Sequence, residues 1–244
     1  MGRHIFNSAV LLGLCMSLCI CGRALAATAP AAPTTKPAPR PIVYPDYSSP
    51  RRAVETFIWA VESHDSGKIS ACLYGETPLE QKAAKAFADM TAAMGLMLAD
   101  AKKKLGPPPG RKHPESVTAR LEALKAALPT AKVTITTDHA TIQFTNHHSR
   151  IKQGPLFLIR HGTCWKMNVE AMLHLKHAGL TDNIIKRRIA DEQLFTKLLQ
   201  GMDADVRSGK IKSWKEFTVD FESRMLADAA RREALKQAAH HPAK

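Results

Sequence analysis

The chain has 244 residues, of which 35 are Lys or Arg and 22 are Asp or Glu, so its formal net charge is +13 at pH 7. This length is enough for one domain with its own hydrophobic core. Only Cys72 and Cys164 lie beyond residue 26, which excludes a disulfide framework, a CxxC redox motif and a zinc-type cysteine cluster in the remaining chain.

Residues 1–26 are typical of a cleavable secretory signal peptide. An uncharged apolar run from Ile5 to Ile20 follows a short basic start, and the small residues Ala24 and Ala26 come next, as signal peptidase requires. The apolar run is shorter than the ~20 residues of a membrane-spanning helix. We therefore expect cleavage near Ala26 and a secreted or periplasmic protein. Its net charge would be +11, because the signal carries two arginines and no acid.

Residues 27–48 are rich in Ala and Pro, which predicts an extended, polyproline-like linker. An α+β domain is predicted over 49–172. It opens with an amphipathic helix at Pro50, whose inward stripe is Val54, Phe57, Ile58 and Val61. Asp65 or Ser66 is expected to cap a short second helix that runs through Leu73, because such side chains accept bonds from the free amides at a helix start.

A long helix is predicted over 79–105 and another over 114–127, separated by the breaker segment Gly106–Gly110. After these helices the spacing of the apolar residues changes, and an apolar residue then occurs at every second position. Alternating apolar and polar residues predict strands over 132–137 and 140–144, joined at Asp138-His139. A more continuous apolar run predicts a strand over 156–160, and Trp165, Met167 and Val169 predict a last strand over 165–169.

Helices return after the strands. A short helix is predicted over 171–178, and Thr181-Asp182 begins a longer one over about 182–207, with an inward stripe of Ile185, Ile189, Leu194, Leu198, Met202 and Val206. Ser213 and Glu216 have the spacing of a capping box and start the last helix. We assign 173–235 to a C-terminal helical extension and 236–244 to a frayed tail.

The stretch SPRRAVETFIWAVESHDSGKISACL at 49–73, followed by a long helix and by strands that end in CWKMNV at 164–169, resembles the nuclear-transport-factor-two-like (SnoaL-type) superfamily. The resemblance covers about residues 49–170 and implies an α+β, cone-like domain, in which a curved antiparallel sheet packs on N-terminal helices. The helical hairpin over 182–230 is an addition to that fold. Members of the superfamily often pair through the open sheet face, which implies a homodimer unless the added hairpin covers that face and keeps the chain monomeric.

The superfamily contains enzymes and non-enzymes, so the fold leaves the activity open. Its enzymes place an Asp/His or Asp/Tyr pair inside the cone. Here Asp65 lies at a helix start, while Asp138 and His139 lie at a hairpin turn. No catalytic residue is assigned, because neither position predicts a side chain in a closed pocket. A dehydratase-like or isomerase-like enzyme stays open as an alternative.

The methionines of the long helix have helical spacing, which is typical of core residues. Methionine also adapts easily to a ligand, so a cone cavity could hold a small molecule or a lipid. The candidate cavity residues are Phe57, Met90, Met94, Met97 and Trp165.

Two further groups of residues leave alternatives open. Cys72 and Cys164 either pair in a disulfide or remain thiols. The histidines at 147, 148, 161, 174 and 177 lack the carboxylate or cysteine that would complete a metal-ligand set. We therefore predict neither a metal nor a cofactor.

Basic residues are concentrated between 146 and 190, where the sequence contains eight Lys or Arg residues and two acidic residues. Such a local excess attracts anionic surfaces. For an exported protein the candidate partners are anionic envelope polymers or lipids rather than nucleic acid, and a basic, solvated surface without a partner stays open as the alternative. The candidate binding residues are Arg150, Lys152, Arg160, Lys166, Lys186, Arg187 and Arg188. The sequence therefore predicts an exported, non-catalytic binding module, with a carrier or an enzyme as the alternatives.

Overall fold

The computed structural model describes residues 43–109, 117–144, 154–173 and 182–240, and the side chains of 117–119 and 232–240 are not described. The predicted signal peptide and most of the Pro-rich linker lie outside these ranges. The chain forms two compact units. The first comprises residues up to Ile58 together with Lys112–Trp165, and the second comprises Trp59–Arg111 together with the residues from Lys166 onward.

The described ranges contain seven α-helices, a 3-10 turn at Leu128–Thr130 and five strands. The helices are α1 (Pro50–Glu62), α2 (Ser66–Ala71), α3 (Pro78–Leu105), α4 (Val117–Ala127), α5 (Val169–Met172), α6 (Asp182–Arg207) and α7 (Trp214–His240). The strands are β1 (Leu73–Tyr74), β2 (Lys132–Thr136), β3 (His139–Gln143), β4 (Leu156–His161) and β5 (Cys164–Asn168).

The α+β class is confirmed, but the expectation of a purely antiparallel sheet is wrong. The strand order is β1-β5-β4-β3-β2. The short strand β1 runs parallel to β5, with Leu73 opposite Met167. The sequence had placed Leu73 in a helix, because a two-residue strand is too short to show a period. The long connection from β1 to β5, which contains α3, α4 and the other three strands, allows the parallel direction, since parallel strands need a crossover.

In the first unit, β2, β3 and β4 form an antiparallel meander. Its two-residue turn is Thr137-Asp138 rather than the predicted Asp138-His139, because Thr136 pairs with His139. Thr137 has φ 49°, a left-handed conformation that the tight turn imposes. Ala140, Ile142 and Leu158 are buried on one face.

In the second unit, α3 begins with a capping box, in which the Thr77 hydroxyl accepts from the Glu80 amide and the Glu80 carboxylate accepts from the Thr77 amide. The buried side of α3 is rich in alanine, which allows a neighbouring helix to approach closely. Helix α3 packs extensively against α6. The buried residues of α3 include Ala83, Ala86, Met90, Ala93, Met97 and Ala101.

The bounds of α6 agree with the predicted helix, and its buried face agrees with the predicted stripe at Ile185, Met202 and Val206 but not at Leu194. Leu194 is 38% exposed, although the apolar stripe placed it inward. The polar residues Glu192, Thr196 and Asp203 are buried on the side that also carries Leu199 and Val206. The stripe of apolar residues therefore gave the length of α6 and part of its buried face, but it did not show that polar residues are buried on the same face.

Helices α6 and α7 are in contact through an edge-to-face pair of Phe195 and Phe221, whose ring centroids are 6.3 Å apart. The Trp214 indole N–H at the start of α7 donates to the carbonyl of Gly106, just beyond α3, at 3.0 Å. Helix α7 continues to His240 and so includes residues 236–240, which composition had predicted to be frayed.

Candidate functional site

Asp65, the first acid considered for catalysis, has a structural role. Its Oδ1 accepts a bond from the amide of Lys68 at 3.1 Å and so caps α2. The bond from the Lys68 backbone amide lowers the pKa of Asp65 below its usual value. Asp65 is also exposed to solvent. Because its ionised form is stabilised, the Asp65 carboxylate is poorly suited to act as a general acid.

Asp138 and His139 are both exposed at the β2–β3 hairpin. Oδ1 of Asp138 accepts from Nε of Arg160 at 3.1 Å and from Nη2 at 3.0 Å. The backbone amide of Arg160 also donates to the Asp138 carbonyl at 2.7 Å. Asp138 therefore joins the hairpin to β4 at the surface.

The five candidate cavity residues belong to two units. Phe57 and Trp165 lie in the first unit, and the three methionines lie in the second. Trp165, Met90 and Met97 are core residues, whereas Phe57 and Met94 are half-buried. The guanidinium of Arg160 lies 5.7 Å from the centroid of the Trp165 ring, a cation–π contact.

The structure shows an open cleft of about 560 Å³ where α6 turns into α7, a site that the sequence analysis did not predict. Its walls mix acidic, basic and small polar side chains. They comprise Asp205, Lys210, Ile211, Ser213, Lys215, Glu216, Val219, Asp220 and Ser223. In the sequence, the only sign of this cleft is the turn at Ser208-Gly209. The walls of the cleft come together because α6 and α7 pair in the folded chain.

The acids of this cleft are largely neutralised. Arg224 lies between the carboxylates of Asp205 and Asp220, and its Nε is 2.9 Å from Oδ2 of Asp220. Lys210 also lies 3.3 Å from Asp205. The side-chain bond from Arg224 is the main reason why the pKa of Asp205 is lowered. The carboxylates of Asp205 and Asp220 in this cleft are therefore both held by Arg224.

The residues of the predicted basic cluster have different surroundings. Arg150 and Lys152 lie outside the described residues. Arg160 pairs with Asp138, and Arg188 pairs with Glu192 and also donates to the Leu173 carbonyl at 2.8 Å. Lys166 is half-buried, whereas Lys186 and Arg187 are exposed on α6. Five of the seven candidate residues lie in the described ranges. Among these five, only Lys186 and Arg187 are exposed and make no ion pair with a described acid.

Cys72 and Cys164 are both free thiols in the structure. Cys72 is buried, and its thiol donates to the carbonyl of Lys68 at 3.2 Å. His161 is exposed, and the other four histidines considered for a metal lie outside the described residues. Within the described ranges, no group of three His, Cys, Asp or Glu residues is placed to hold a metal ion.

Two buried carboxylates on α6 were missed by sequence reasoning. Glu192 is 5% exposed and Asp203 is 6% exposed. Oε1 of Glu192 lies 3.2 Å from Nε of Arg188, and Oδ2 of Asp203 lies 2.5 Å from Nη2 of Arg207. The other oxygen of each has no hydrogen-bond partner among the described residues. Burial raises the pKa of both groups above the usual value, despite the neighbouring arginines.

No family model matches the chain, and neither the curated proteins nor the solved structures include a significant match. None of the described helices combines the length and the hydropathy needed to cross a bilayer.

Proposed function

We propose that the chain is an exported interaction module that binds anionic components of the cell envelope without catalysing a reaction. The observation that carries this proposal is the excess of basic side chains, which gives a formal charge of +13 for the full chain and +11 without residues 1–26. Several of these side chains, including Lys186 and Arg187, are exposed and make no ion pair within the described residues. Such groups produce a positive field that attracts anionic surfaces.

The surroundings of the acidic candidates support the non-catalytic part of the proposal. Asp65 caps a helix, and Asp138 is held by Arg160. Both carboxylates therefore have structural partners that explain their positions. A cone-like domain of the nuclear-transport-factor-two-like kind, with a curved sheet and an added helical hairpin, is part of the same proposal and rests on the resemblance at 49–170.

Binding is tested with the protein that begins at Ala27. It is mixed with vesicles of phosphatidylglycerol and phosphatidylcholine, with vesicles of phosphatidylcholine alone, and with a soluble anionic polysaccharide, each over a series of salt concentrations. We expect binding to at least one anionic partner that weakens as salt rises, because salt screens exposed charges. Failure to bind either anionic partner at low salt would refute the proposal.

Export is tested by expressing the full chain in a bacterial host and measuring the mass of the protein in each cell fraction. We expect a species outside the cytoplasm that lacks residues 1–26, because the segment has the pattern of a signal peptide. A full-length protein confined to the cytoplasm would contradict this expectation.

A further inference from the structure

We propose that one end of the second unit docks on an anionic phospholipid surface. This end, termed the lysine end, consists of Lys102, Lys103 and Lys104 on α3 and of Lys212 and Lys215 at the start of α7. The inference rests on the proposed function and specifies both the surface and the partner. It differs from the basic cluster that the sequence predicted at 146–190.

Two contacts bring the segments of the lysine end together. The indole N–H of Trp214 donates to the Gly106 carbonyl at 3.0 Å, across 108 positions of sequence. Nε of Arg207, at the end of α6, lies 3.5 Å from Oδ2 of Asp100 near the end of α3. Because the ends of α3 and α6 and the start of α7 meet at one place, their lysines share one region of the surface.

The charge of this region is positive. Segments 100–106 and 203–216 carry seven basic and four acidic side chains. Each acid has a partner: Arg207 contacts Asp100 and Asp203, Lys210 and Arg224 contact Asp205, and Glu216 accepts from the Lys212 amide at 2.7 Å.

The five ammonium groups of the lysine end are exposed and form no ion pair with any acid in the described residues. Their charge is therefore available to a partner in solution.

Two features favour a lipid surface. The lysine end contains no exposed, unpaired arginine, and lysine is a hydrated point charge that suits diffuse attraction better than bidentate recognition of one phosphate. In addition, Val219 is 58% exposed and lines the cleft that also contains Lys210 and Lys215. Cations beside an exposed apolar side chain suit the boundary between headgroups and acyl chains.

The test compares two variants of equal charge by co-sedimentation with phosphatidylglycerol-containing vesicles. The first is K102Q/K103Q/K104Q, and the matched control is K82Q/K132Q/K197Q, which removes three exposed cations elsewhere, on α3, β2 and α6. We expect the first variant to bind about a hundredfold more weakly than wild type, since each lysine near an anionic membrane contributes about fivefold. The control should lose much less affinity. Circular dichroism and thermal unfolding verify that both variants fold.

If the triple variant does not fold, K212Q/K215Q tests the lysine end through its other segment, at the start of α7. It should weaken vesicle binding about thirtyfold by the same reasoning. Equal or greater loss in the control than in the lysine-end variants would overturn the lysine end while leaving the proposed function intact. Binding to the soluble polysaccharide without binding to vesicles would overturn the lipid partner alone. A wild-type protein that binds neither would refute the inference and the proposed function together.

Discussion

The imidazole ring of His64 lies directly against Gly95 of α3, in the space that a side chain at position 95 would occupy. A β-carbon built on Gly95 would be 2.1 Å from Nδ1 of His64. That nitrogen lies 3.1 Å from the carbonyl of Val61, and His64 has φ 53°. The chain reverses direction after α1, and the His64 ring packs there against α3 at a position that has no side chain. This contact explains why the long helix α3 contains a glycine at position 95.

Gly95→Ala should destabilise the protein although alanine is the better helix former. The new methyl group would displace the His64 ring and break its contact with Val61, and overpacking of this kind costs about 1–3 kcal/mol. Denaturant unfolding of the wild type and the variant measures the difference.

The control for this prediction is the same substitution in a His64→Ala background. Without the ring, Gly95→Ala should stabilise the helix by up to about 1 kcal/mol. The substitution would then have opposite signs in the two backgrounds. The same sign in both would show that His64 is not the obstacle.

Arg51 stabilises the segment that precedes β2 in the first unit through two hydrogen bonds. Its guanidinium donates to the carbonyl of Pro129 at 2.8 Å and to that of Ala131 at 2.6 Å. Arg51→Lys should lower the free energy of unfolding by about 1–2 kcal/mol, because an ammonium cannot reproduce the forked geometry of two charge-assisted bonds. Denaturant unfolding provides the measurement.

The adjacent Arg52 offers a matched control. It pairs with Glu55 at the surface at 2.6 Å, and its side chain is 39% exposed. Arg52→Lys should change stability by about 0.5 kcal/mol or less, as exposed ion pairs do. If Arg52→Lys were the more harmful change, the proposed role of Arg51 would be wrong.

Glu192 should make the protein less stable as pH rises. Burial raises its folded-state pKa above the usual 4.5, against the attraction of Arg188 and with the help of Asp191. The folded state then binds the proton more tightly than the unfolded chain. The contribution of Glu192 to stability is full below the usual pKa and is lost as pH rises through the folded-state pKa.

Glu192→Gln removes this dependence on pH. The stability of the variant relative to wild type should increase between about pH 5 and about pH 8, as measured by denaturant unfolding at both values. Glu222→Gln removes the same charge from an exposed position on α7 and serves as the control. A difference between Glu192→Gln and wild type that is constant, or that falls as pH rises, would contradict the prediction.

Arg224 should hold α7 against α6. It contacts Asp205 on α6 and Asp220 on α7, and a β-carbon on Gly201 would be 3.2 Å from its Nη1. Arg224→Gln should lower stability by about 1 kcal/mol, since the pair is only partly exposed, and should speed amide exchange in α7. Arg231→Gln, at an exposed position of the same helix, is the control. Equal exchange rates in the two variants would argue against the bridging role.

Local signals in the sequence predicted much of the secondary structure correctly. The cap at Asp65 depends on a side chain that bonds to an amide three residues away, so a short stretch of sequence contains all that is needed. The bounds of α6 followed from its capping residues and period. The hairpin of β2 and β3 followed from alternation, and its turn was displaced by one residue because Thr137 adopts φ 49°.

The sequence by itself therefore determined the α+β class, the long helices and the basic charge of the chain. Tertiary structure decided the parallel pairing of Leu73 with Met167, the burial of Glu192 in place of Leu194, and the contact of Trp214 with Gly106 that joins the start of α7 to the end of α3. Each of these depends on contacts between residues far apart in the chain or on the rotation of a helix against its neighbour. Periodicity within one element does not carry that information, because it fixes a period and a length but not the partner.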